Sequence, residues 1–77
     1  MNKANRAELD KAITLINEAQ SIVSQLAEEE QEKFDNLSEG LQQAERGQNM
    51  EQAACEMDDA ASELMSIAET LQNLVDM

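Results

Sequence analysis

Apolar and small residues return along this chain at helical intervals, in two separate runs. In the first, Leu9, Ile16, Val23 and Leu37 fall seven or fourteen residues apart, and Ala12, Ala19 and Leu26 follow three later. Ile13, Ala27 and Phe34 widen this stripe on one side, Leu15 and Ile22 on the other. In the second run, Met50, Met57, Leu64 and Leu71 recur every seven residues. Ala53, Ala60, Ile67 and Leu74 follow three later, with Ala54, Ala61, Ala68 and Val75 beside them. The pattern predicts an all-α fold, with long amphipathic helices over about residues 4–36 and 50–76 joined by a turn and short helix over about 37–48.

The joining stretch reads as a turn. Glu30 and Lys33 interrupt the first stripe where it next points inward, so the first helix should loosen near Asn36. Ser38 can cap a short helix running to Glu45, and Gly47 is placed to supply the left-handed residue that closes it. Asn49, with Gln52 three residues on, has the form of a capping box opening the second helix. Folding about residue 43 would lay Phe34 over Ala53 and Ala54 and Leu26 over Ala60, large against small, as dense packing requires.

Two such helices, each of about 25 residues and close to 40 Å long, cannot enclose a core between them. Stripes this wide touch more than one neighbour. The expectation is therefore a homodimer, two hairpins forming a four-helix bundle, with Leu15, Ile16, Ile22, Val23, Leu64, Ile67 and Leu71 at the interface. The alternative is a monomeric hairpin that leaves Leu15, Ile22 and Met65 partly wet.

Composition agrees with a single small helical domain. The 77 residues include no proline and two glycines, and 42% are hydrophobic, too many for a disordered acidic tail. Charge changes the picture further. The net charge is -12, yet residues 1–27 are neutral, with Lys3, Arg6 and Lys11 balancing Glu8, Asp10 and Glu18. Residues 28–77 carry the other 14 acids against Lys33 and Arg46, and 11 of those acids lie between Glu28 and Asp59. An antiparallel dimer keeps the two acidic ends apart, whereas a parallel one opposes them within a Debye length of about 8 Å.

No stretch resembles the apolar core of a signal peptide or a membrane span, and the expected location is cytoplasmic. Cys55 is the one cysteine and histidine is absent, so the common zinc and Cys-His constellations are missing. No cofactor or metal is called for.

The stretch EEEQEKFDNLSEGLQQAERGQNMEQA, residues 28–53, and the Ala-rich acidic helix after it resemble a family of short acidic helical proteins encoded by bacteriophages and prophages. The shared pattern is an EKFDNLPEGLQ-type turn and an ERG-x-x-M segment, and it covers roughly residues 28–64. Ser38 replaces the Pro usual in the family, and Ala44 its usual Ser. The family has no firmly assigned activity. The resemblance implies phage origin and a common turn.

Three functions can be weighed on the acidic half. Glu29 with Glu32, and Glu56 with Asp59, resemble the acid-x-x-acid pairs of all-α nucleotide pyrophosphohydrolases, where converging carboxylates hold Mg²⁺. Direct nucleic-acid binding conflicts with five basic residues, one aromatic and the net charge. The converse is open. Eleven carboxylates over a short hairpin end approach the charge density of duplex DNA, about one per 1.7 Å. Such a surface, built from Glu28, Glu29, Glu32, Asp35, Glu51, Glu56, Asp58 and Asp59, suits a basic protein partner. The reading is a small acidic interaction protein, an inhibitor or modulator of a host nucleic-acid-handling or defence protein. Its alternatives are a structural or scaffold bundle and a Mg-dependent pyrophosphohydrolase.

Overall fold

Asn2 opens the first helix: its side-chain oxygen accepts the Asn5 backbone N–H at 2.7 Å, satisfying one of the donors a helix start leaves free. In the computed structural model, which describes residues 1–77, this helix, α1, runs over Lys3–Asp35. A short α2 spans Glu39–Gln43, and α3 spans Glu45–Val75. The chain thus folds as a hairpin of two long antiparallel helices with a linker helix, measuring 58 × 14 × 13 Å. Its radius of gyration is 17.2 Å, against about 11.5 Å for a compact domain of this length. No helix is long and apolar enough to cross a membrane.

The helices are 33 and 31 residues long: α1 keeps the expected bounds of about 4–36, whereas α3 begins five residues before the expected residue 50. Glu30 does not break α1. It is half-buried and takes a hydrogen bond from Lys33 Nζ at 3.2 Å, so the polar pair is accommodated and the helix continues to Asp35. At the other side of the turn the expected start at Asn49 is displaced. The chain turns at Ala44, whose extended backbone (ψ 160°) is followed directly by helix, and Asn49 lies one turn inside α3. Gly47 is likewise helical, without positive φ, so it is not a left-handed terminator. It is buried because the linker crosses it: a Cβ there would collide with the Leu41 carbonyl oxygen and sit 2.7 Å from that of Gln42.

Two glutamines hold the linker in this position. Gln42 Nε2 donates to the Phe34 carbonyl at 3.0 Å, which also accepts the Leu37 backbone N–H at 3.0 Å, and Gln48 Nε2 donates to the Gln42 carbonyl at 2.8 Å. Ser38 caps α2 as expected, its hydroxyl accepting the Leu41 N–H at 3.4 Å.

The core is a narrow seam of small residues. Ile13, Ala27 and Phe34 are buried on α1, Gly47, Ala54, Ala61 and Ala68 on α3, and no large side chain is fully buried. Leu9, Ile16 and Val23 on α1, Leu37 in the turn after it, and Met50, Met57, Leu64 and Leu71 on α3 form the half-buried margins. Glycine and alanine every seven residues on α3 let the two backbones approach closely. This corrects the expected register. Residues 24–31 face 51–58, placing the midpoint near Leu41 instead of residue 43. Ala60 is exposed, Leu26 is 45% exposed, and the Ala53, Ala60, Ile67 and Leu74 column flanks the seam instead of filling it. Both columns adjoin the methionine and leucine row. The all-alanine one faces α1 because Ile67 and Leu74 are too large for the close approach.

Candidate functional site

Assigning the seam fixes where every charged side chain goes. The positions next to the buried row on one flank are Ser24 and Gln31 of α1 and Glu51 and Asp58 of α3. Together with Ala27, Glu28 and Cys55 they line a groove of about 500 Å³ between the helices near the linker end. Three acidic residues, Glu28, Glu51 and Asp58, line it. None of the three is held by an ion pair, since the only such pairs are Lys11 with Glu8 and Lys33 with Glu30. No hydrogen bond engages them either, whereas Gln31 ties up Asp35 at 3.0 Å, Gln52 ties up Glu56 at 3.1 Å and Gln25 approaches Glu29 at 3.4 Å.

The eight acids named from the sequence therefore divide. Glu28, Glu51 and Asp58 share the groove, and Asp35 stands two turns beyond Glu28 on the same side of α1. Glu29 and Glu56, one residue on from Glu28 and Cys55, are carried about 100° round their helices toward the opposite flank, and Glu32 and Asp59 face outward. Glu29, Glu32, Glu56 and Asp59 accordingly do not come together, and no cluster of three or more Asp, Glu, Cys or His has the arrangement of a metal site. The converging carboxylates expected for a pyrophosphohydrolase are not assembled within one hairpin.

Ser24, Gln31 and Cys55 line the groove without having been singled out from the sequence. Their signal was present: each sits one, three or four residues from a buried alanine, so they border the seam once the correct alanine column is chosen.

The residues expected at a dimer interface also separate. Ile16, Val23, Leu64 and Leu71 are half-buried within the intramolecular seam. Leu15, Ile22 and Ile67 remain exposed at 65%, 60% and 48%, and Met65 lies on the acidic flank, also exposed. Leu15, Ile22 and Leu26 of α1 and Ile67 and Leu74 of α3 all fall on the flank opposite the acidic groove. The exposed aliphatic residues thus gather on one flank, which Glu29 and Glu56 also reach, and the groove acids on the other. Comparison with protein-family models, curated proteins and solved structures gives no match for the chain.

Proposed function

We propose that this chain is a small acidic interaction protein that works as a homodimer, an antiparallel four-helix bundle, and binds a basic protein partner at its acidic end. The observation that carries the reading is that Glu28, Glu51 and Asp58 line one groove with no basic residue of the chain paired to them. Unpaired carboxylates on neighbouring helices present the fixed, repeated negative charge that an Arg- or Lys-rich surface recognises. The resemblance of the turn to that of phage-encoded proteins supports a host target. A protein that ordinarily grips nucleic acid is the fitting class, and the chain would inhibit or modulate it by occupying its phosphate-binding surface.

The test is capture from bacterial extract, with binding of the purified partner then measured against two variants. Glu28→Gln, Glu51→Gln and Asp58→Asn together should weaken binding at least about tenfold, several charge-assisted contacts being lost at once. Glu29→Gln, Glu32→Gln and Asp59→Asn remove equal charge from outside the groove and should cost much less. A basic DNA- or RNA-binding protein displaced by duplex DNA supports the proposal. Equal losses in both variants would reduce the groove to undirected charge, and capture of a virion component would favour the scaffold role.

A further inference from the structure

Helix α1 carries a second heptad row that the hairpin leaves empty. Ala12, Leu15, Ala19, Ile22 and Leu26 follow at spacings of three, four, three and four. This row lies roughly a third of a turn round α1 from the row that meets α3, about where a bundle helix meets its second neighbour. Leu15, Ile22 and Leu26 are 65%, 60% and 45% exposed. No charge falls within the row, and Glu8 at one end and Glu29 and Lys33 at the other close it off.

We infer that this row is the dimer seam, and that it takes the same row of a second copy running in the opposite direction. This rests on the dimeric reading above and adds which surface is used and in what register. The row is self-complementary when the twofold axis passes between the levels of Gln20 and Ser21. Leu15 then meets Leu26 of the second copy, Ile22 meets Ala19, and Glu8 meets Lys33, with every contact made twice. Large faces small at the centre and opposite charges face each other at both margins. A parallel pairing sets Glu8 against Glu8 and Lys33 against Lys33, and brings both acidic grooves together. The equivalent row of α3 is interrupted by Glu56 and Glu63, so α1 supplies the apolar contact.

The dimensions agree. One flank of a rod 58 Å long and 14 Å wide offers roughly 800 Å², the area per partner that a stable association typically buries. A single hairpin with so few buried residues gains its missing burial in this way. A basic partner is drawn instead to the opposite, acidic flank, which the inferred seam leaves open.

Covalent trapping with the full chain in a Cys55→Ser background tests the register. Leu15→Cys with Leu26→Cys should oxidise to a cross-linked dimer, and either substitution alone should not. The two positions are about 16 Å apart along one helix, too far for a disulfide within a copy. Sedimentation equilibrium of the unaltered protein should give twice the 8.5 kDa chain mass. Ile22→Glu should raise the dimer dissociation constant about a hundredfold by burying two unpaired charges, with the helical circular dichroism retained. Lys33→Glu should weaken association about tenfold and Glu8→Lys in the same chain should restore it, an exchange that helps only if unlike positions meet. An unaltered protein sedimenting at 8.5 kDa at 100 µM (about a hundred times a micromolar dissociation constant) overturns both this inference and the dimeric reading. A dimer cross-linked through Leu15→Cys alone, or not by the pair, overturns the seam and leaves the dimeric reading standing.

Discussion

Adjacent alanines on α3 have opposite surroundings, and a single substitution separates them. Ala61 is 4% exposed and faces α1, so Ala61→Phe should overpack the seam and cost about 1 to 3 kcal/mol in chemical denaturation. Ala60→Phe places the same ring on the outer flank and should cost well under half as much. Equal losses would mean that the wrong column had been placed inward. The two glycines form a second pair. At Gly40 an added Cβ meets nothing within 4 Å, so Gly40→Ala should gain about 0.5 to 1 kcal/mol by helix propensity alone. At Gly47 the added Cβ strikes linker backbone, which cannot rotate away, and Gly47→Ala should lose about 1 to 3 kcal/mol despite the same propensity gain. Here the sequence was misleading. A glycine near a helix boundary most often serves its φ freedom, and only the linker's path reveals that the missing side chain is what matters.

At the level of elements, existence and type of the helices were legible because heptad spacing persists over more than four turns in each. Their boundaries were less so. Asn49 and Gln52 look like a capping box, but the hydrogen bonds from Gln42 and Gln48 and the burial of Gly47 under the linker hold the chain so that α3 starts five residues earlier. Tertiary contacts outweighed a local signal of about 1 kcal/mol. The cap at Ser38 was read correctly because nothing competes with it. Its φ of -62° already suits proline, and its N–H makes no hydrogen bond within the protein. Ser38→Pro should therefore stay within about 0.5 kcal/mol of the parent, the stiffened chain offsetting the lost cap. Ser38→Ala has no such offset and should lose about 0.5 to 1 kcal/mol. Thermal melts of the two variants check the order, and a larger loss for proline would show that the turn demands the hydroxyl. The acidic groove was only half legible. Charge density is written in the composition, but which acids line the groove depends on the choice of alanine column, and that choice rests on side-chain size at Ile67 and Leu74.

For the whole molecule, the proposed roles of the two flanks predict opposite responses to salt. Each chain carries a net charge of -12, concentrated in residues 28–59, with three of its five basic residues at the far end. Bringing two such chains together adds repulsion that the proposed Glu8 and Lys33 pairs only partly offset, since exposed pairs contribute about 0.2 to 1 kcal/mol each. Raising the ionic strength shortens the screening length from about 30 Å at 0.01 M to 8 Å near 0.15 M. Self-repulsion falls accordingly, so hairpin stability and dimer affinity should both rise with sodium chloride. The proposed partner binding at Glu28, Glu51 and Asp58 would depend on attraction between unlike charges and should weaken over the same range, mainly through a slower association rate. Sedimentation and thermal melts at several salt concentrations measure the first response, and association kinetics with the captured partner measure the second. Partner binding that strengthened with salt alongside dimerisation would place recognition on the apolar flank. The acidic end would then serve to keep the protein in solution, and the Ile22→Glu substitution would abolish partner binding as well as self-association.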